Sequence, residues 1–253
     1  MIGGFNVNPY DGLINVDPLK LYFGEPFVVN QYITIFQPTI GDIIAYGEKE
    51  YYSMVQTLTA IPSDMKSQLW DMQLDWNKIG DFQLFTMLAK SFSQKQTSII
   101  LGDLDLQRMM PVENLQNGEI VLKDPLTGAI IDELAYMTMS AYLCKLHNIT
   151  KKVEKAGNKF TKQVLIDEDR QKKEYNAKQP YKSFLMPLIS SIKVRQGYTR
   201  EYIKNMGLYE FFDDVNRAQI LVNTDALLSG AYSGMMDTSK IKKSEFNWMR
   251  EIE

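Results

Sequence analysis

The sequence predicts a mainly helical α+β protein, and three observations predict it. Apolar residues recur at three- and four-residue spacing through most of the chain, the mark of helices with one buried face. Short β-rich runs stand near the N-terminus and again between residues 97 and 131. The composition is that of an ordinary globular chain, 45% hydrophobic and 23% charged over 253 residues, so long disordered stretches are not expected. A chain of this length makes one large domain or two small ones. We divide it into an extended arm at 1–30, an α+β domain at 31–148 with a β-hairpin insertion at 97–131, and a helical region at 149–253.

Residues 1–18 are rich in Gly, Asn, Asp and Pro and read as an arm or loop. The runs Leu19–Phe23 and Tyr32–Phe36, parted by Gly24 and Pro26, predict a strand pair. Thr39 is placed to cap a helix whose first turn carries Asp42. Ile40, Ile43, Ile44, Gly47, Tyr51, Met54, Val55 and Leu58 then mark one face of a helix from about 40 to 59. Pro62–Asp64 starts a short helix through Leu69 and Trp70, and Asp81 opens another with Phe82, Phe85, Leu88 and Phe92 on one side.

Ser98–Leu101 and Glu119–Leu122 are expected as short strands. Asp124-Pro125-Leu126-Thr127-Gly128 is a turn signal, with Ala129–Ile131 as the returning strand. A helix follows from Asp132–Glu133 to about His147. After a break at Ala156-Gly157-Asn158, Phe160–Tyr175 predicts a helix with a narrow stripe of Val164 and Leu165. Phe184, Leu185, Leu188, Ile189 and Ile192 form the face of the next helix, limited or kinked by Pro187. The last helix is expected over Leu208–Leu228, breaking at Gly230 and Gly234. No repeat or low-complexity tract is evident.

Charge is unevenly distributed. Residues 150–182 hold ten Lys/Arg against five Asp/Glu, a net of +5, which leaves −8 elsewhere in a chain of net −3. The whole-chain pI near 5.4 argues against a general nucleic-acid binder. Fourteen Met and fourteen Tyr suit adaptable contact surfaces, although core filling is their commoner use. Cys144 is the only cysteine, so no internal disulfide forms and a reducing compartment is expected. Neither a signal peptide nor an apolar run of membrane-spanning length is visible. The Asn148-Ile149-Thr150 sequon therefore reads as accidental.

The motifs of catalysis are missing. The phosphate-binding loop and the dinucleotide glycine fingerprint are absent, and Gly230–Gly234 puts its serine one position too late for a nucleophile elbow. His147 is the single histidine, which makes triads and zinc sites hard to assemble; it reads as a cation at a helix C-terminus. Asp103 and Asp105 lack the rest of a calcium loop and read as loop caps. Asp167-Glu168-Asp169-Arg170 reads as ion pairs with nearby lysines. Asp213 and Asp214 could in principle form an acid–base pair, but a perturbed carboxylate cannot be read from adjacency alone and no second matching site is present. No catalytic residue, metal ligand or cofactor is predicted.

Ile33-Thr34-Ile35-Phe36-Gln37-Pro38-Thr39-Ile40-Gly41-Asp42-Ile43-Ile44, running on to Tyr52, resembles a signature of tailed-bacteriophage proteins. So do Leu58–Lys66, Leu74-Asp75-Trp76, Leu228–Asp237 and Lys243–Trp248. The resemblance covers about 30–90 and 160–250 and leaves the middle insertion unmatched. Such proteins are similar to tail-assembly chaperones and virion structural proteins. The resemblance implies non-enzymatic work in the bacterial host cytoplasm or in the virion. It implies phage tail or other virion proteins as partners, with no catalytic residue.

Two contact regions are expected. The basic stretch, represented by Lys151, Lys152, Lys155 and Lys159, has three readings: a solvated helix face, a nucleic-acid site with Tyr175 and Tyr181 stacking on bases, or a face that meets the acidic remainder of a second copy. A protein partner, or a homo-oligomer, is favoured over nucleic acid. Interleaved acids would repel phosphates, and Phe160, Tyr175 and Tyr181 are too far apart for a stacking platform. At the C-terminus, Phe246 and Met249 three residues apart, with Trp248 beside them, predict a short helix that docks by burying aromatic surface.

Overall fold

The structure is a computed structural model that describes residues 5–6, 12–114, 118–234 and 236–252. Strand β1 (Phe5–Asn6) is followed by helix α1 (Pro18–Tyr22). Leu19–Phe23, expected as a strand, is thus helical. The Asp17 carboxylate accepts the Leu19 N–H at 2.9 Å and proline fills the first helical position, so the cap overrides the β-propensity of the run. The strand pair is instead β2 (Phe27–Asn30) against β3 (Ile33–Ile35), antiparallel. Its turn is closed by Asn30 Oδ1, which accepts the Tyr32 and Ile33 N–H groups at 2.9 and 3.0 Å.

The Thr39 hydroxyl accepts the Asp42 N–H while the Asp42 carboxylate accepts the Thr39 N–H, a reciprocal cap that starts α2 (Ile40–Tyr46). The helix expected through to 59 is two helices. Gly47 has φ +104°, a conformation that glycine adopts freely, and α3 (Glu48–Leu58) departs from it in a new direction. Ile40, Ile43, Tyr51, Met54, Val55 and Leu58 of the predicted face are buried, but Ile44, one position round the helix from Ile43, is exposed.

A 3-10 turn at Pro62–Asp64 leads into α4 (Lys66–Asp71), then α5 (Asp81–Leu88) and α6 (Gln94–Leu101). Ser98–Leu101, expected as a strand, is the last turn of α6. Ser93 and Gln96 cap that helix upstream, and a four-residue apolar run looks alike in either conformation. The β insertion therefore begins later, with β4 (Met110–Glu113), β5 (Ile120–Lys123) and β6 (Ile130–Ile131) in one antiparallel sheet, ordered β4-β5-β6. The Asn114 N–H donates to Glu119 C=O at 2.8 Å. Alternation from that pair turns the main-chain groups of Pro111 and Glu113 outward, along the sheet's open edge.

Helix α7 (Glu133–Leu146), capped by Asp132, is buried on most sides. After β7 (Lys152–Val153), which pairs with β1, come α8 (Lys159–Lys178), α9 (Leu185–Gln196), α10 (Arg200–Asn205) and α11 (Leu208–Tyr232). Pro187 does not kink α9. It is the third residue of that helix, where an N–H has no helical partner to lose. Glu48 takes the cap's part instead, accepting the Phe184 and Leu185 N–H groups at 2.7 Å each. Helix α11 runs through Gly230 and ends before Gly234, whose φ is +69°.

Two clusters of buried side chains hold this mainly helical α+β arrangement together. The larger joins α2, α3, α5 and α7 to α9–α11, with Tyr51, Phe85, Tyr142 and Phe211 among its largest members. The smaller consists of Ala60, Leu69, Trp76, Leu84, Leu165 and Ile166, where α8 lies against α4. Residues 149–253 thus divide between the two cores. The N-terminal segment is tied to α11 by Gln37, whose Nε2 donates to Leu21 C=O and whose Oε1 accepts the Tyr209 N–H, both at 2.9 Å. Gly207 permits that approach, since a Cβ there would lie 2.8 Å from Gln37 Oε1. Among the described residues, no helix is long and apolar enough to cross a membrane.

Candidate protein-interaction surface

The basic segment meets acids of its own chain. Lys151 is only 6% exposed and its Nζ donates to Asp64 at 2.9 Å. Glu154 accepts from Lys66 and from Lys152, both at 2.6 Å. Along α8, Lys162 donates to Asp75 at 2.6 Å with its Nζ over the Trp76 ring, and Arg170 pairs with Asp71. Asp169 accepts from Lys173 and from both the N–H and hydroxyl of Ser67. Burial works to raise the pKa of Asp75, Glu154 and Asp169. The lysines and hydrogen bonds outweigh it and hold all three below the ordinary carboxylate range.

The four lysines expected as one contact group therefore differ. Lys151 is a buried partner of Asp64, which corrects its expected place on an outward face. Lys152 is half exposed and paired with Glu154, while Lys155 and Lys159 stand in solvent. The local pairs Lys173–Asp169 and Arg170–Asp167 follow the expected spacing, but the acids that Lys151, Lys162 and Arg170 reach on and beside α4 lie 87 to 99 residues away, and no local spacing points there.

His147 closes α7 from inside the protein. Its Nδ1–H donates to Leu143 C=O at 2.7 Å, which fixes the tautomer, so Nε2 accepts the Tyr51 hydroxyl at 2.6 Å. Burial pushes its pKa down to about 4, against the Leu143 bond. The imidazole is neutral, not the helix-end cation expected from its position, because desolvation exceeds what the helix dipole returns.

The C-terminal segment lies along α11. Its short helix is a 3-10 turn at Lys243–Phe246 that stops before Trp248 and Met249. Phe246 is half-buried, but Trp248 is 50% and Met249 67% exposed. The docking is therefore made by main-chain carbonyls rather than rings. The buried Thr224 hydroxyl donates to Glu245 C=O at 3.2 Å, and Arg217 Nη1 donates to the Trp248 and Arg250 carbonyls at 3.1 and 2.7 Å. Arg250 reaches back to Glu245, to its carbonyl at 2.9 Å and its carboxylate at 3.0 Å. Sequence reasoning missed both arginines, since their acceptors are backbone groups that no residue type advertises.

Between this segment, α11 and the Lys145–Thr150 corner runs a groove of about 1060 Å³. Phe212, Ile149 and Ile220 give it apolar walls, and Asp213, Asn216 and Gln219 supply polar ones. Burial raises the pKa of Asp213, Arg217 opposes and Asp214 adds to the rise. The two acids are not a matched pair: Asp214 accepts the Tyr198 hydroxyl at 3.0 Å. Asp105 caps the 3-10 turn at Leu106–Arg108 by accepting the Gln107 N–H. Among the described residues no cluster of His, Cys, Asp and Glu is arranged to hold a metal ion. The surface offers hydrogen-bonding groups, apolar walls and exposed rings, which is the chemistry of contact.

Residues 175–253, from the last turn of α8 to the C-terminus, match the YomV second domain, a phage-derived family. No curated protein and no solved structure matches the chain.

Proposed function

We propose that this chain is a phage tail-morphogenesis protein acting through protein–protein contacts in the host cytoplasm, as a tail or baseplate component or as its assembly chaperone. The observation that carries the reading is the number of large apolar side chains that the C-terminal helices leave in solvent. Phe160 on α8, Phe184 and Met186 at the start of α9, Val194 near its end and Tyr232 at the end of α11 are all exposed. Val194, 81% exposed, stands with Leu221 at a shallow cavity between α9 and α11. Apolar side chains that adjoin on a surface, as Val194 and Leu221 do at this cavity, mark places where other molecules dock. Most of it lies within the region that matches the phage-derived family. The ion pairs that Lys151, Lys152, Lys162, Arg170 and Lys173 make within the chain favour protein over nucleic acid, since they leave fewer cations to displace counterions.

The test is made on phage particles. Mass spectrometry of purified particles finds the chain in many copies if it is a component. If it is a chaperone, it is absent from particles but co-purifies with a tail protein from infected cells. Deleting its gene leaves tailless or tail-defective particles in both cases. Normal tails after deletion, or tight salt-sensitive binding in a gel shift near physiological ionic strength, would overturn the reading.

A further inference from the structure

We propose that the C-terminal segment is an exchangeable arm, and that the face of α11 on which it lies also accepts the same segment from a second copy of the chain. The segment has no buried side chain among residues 236–252. On α11, Arg217 and Thr224 hold it by donating to its main-chain carbonyls, and its own Arg250 donates back to the Thr224 hydroxyl. An arm fastened in this way loses little apolar burial on release. The face it leaves is identical on every copy, so the same bonds re-form in trans.

The connection has slack. Bonding Glu245 to Thr224 requires the chain to return from Tyr232 along two turns of helix, about 12 Å. The residues from Tyr232 to Glu245 can reach about 43 Å when extended. They begin the return at once, with Met236 lying over Gly230 so closely that a Cβ there would be 3.4 Å from its methyl carbon. A tether of this length gives the closed form an effective concentration in the millimolar range. Dilute protein therefore keeps its arm. Copies packed side by side at comparable concentration trade arms, which places the exposed Trp248 and Met249 at the junction between them.

The inference needs only the purified chain, so it stands or falls apart from the particle experiments. One preparation carries Asp225→Cys on α11 and another Ser244→Cys on the arm, both positions exposed; Cys144 is buried and unreactive. After mixing, a short bismaleimide joins the two chains only when an arm lies in trans. The expected result is a covalent heterodimer whose yield rises steeply with protein concentration. Moving the face cysteine from Asp225 to the exposed Lys90, on the turn after α5, lowers that yield by about tenfold or more, since no tethered arm is held there at high local concentration. A chain carrying both Asp225→Cys and Ser244→Cys, diluted, cross-links within itself and shows that the cysteines are within reach. No heterodimer at any concentration while that control cross-links would overturn the proposal. So would an equal yield from the Lys90→Cys chain, which would mark random collision.

Discussion

At the scale of single residues, His147 shows how burial can reverse a reading made from position. Its place after α7 was legible, and the preference of a helix C-terminus for a cation is real. Its partner Tyr51 is ninety-six positions away, and together they lie in a region without water to solvate a charge. The consequence is measurable. The folded pKa near 4 lies below the unfolded value of 6.5, so the unfolded chain takes up a proton between those pH values and the folded chain does not. The contribution to stability is complete above pH 6.5 and is lost as pH falls towards 4, in total about 3 kcal/mol. Urea midpoints should decline from pH 7 to 4.5, before the paired carboxylates titrate. In a His147→Gln variant the decline over that range should nearly vanish. An equal decline in the variant would locate the proton uptake elsewhere.

At the scale of elements, periodicity found most helices and misplaced their ends and breaks. Gly47 falls on the apolar face of the 40–59 pattern and so reads as one more helical position; nothing in the spacing reveals that its φ is +104°. Asp17 and Pro18 do carry a cap signal, but the apolar and aromatic run Leu19–Phe23 masks it. Ser98–Leu101 is too short for period 2 and period 3.6 to differ. Gly47→Ala tests the most consequential of these. A side chain there meets the Glu50 carboxylate at 2.7 Å in a backbone conformation that only glycine holds without strain. The expected loss is about 1–3 kcal/mol in chemical denaturation. Gly157→Ala, with open space and an ordinary φ, should change little.

At the scale of the whole molecule, the net charge of the segment was legible and its destination was not. The segment was expected to face partners, yet much of its basic surface closes the seam between α8 and α4 beside the smaller core. Only Lys155 and Lys159 of the four candidate lysines remain free for the role first read from them. Lys151→Met and Lys159→Met separate the two situations. The first leaves Asp64 without its buried partner; because that carboxylate is partly exposed, the loss should fall at the low end of about 1–3 kcal/mol. The second should stay within about 0.5 kcal/mol. Thermal melts of both proteins at low and high salt give the comparison, and equal effects would show that Lys151 is not the closed contact described above.

The open edge of the β4-β5-β6 sheet bears on how many copies of this protein a cell can hold. A bare strand edge is a template on which another chain can add, and the hazard grows with concentration. Here the two residues that turn their main chain outward are Pro111, which has no N–H to offer, and Glu113, whose carboxylate repels its own kind on a neighbouring copy. Growth on the β4 edge loses one hydrogen bond at Pro111 and meets like charge at Glu113. Should the apolar side chains exposed on the helices serve assembly, as proposed, this edge competes less with them as copies accumulate.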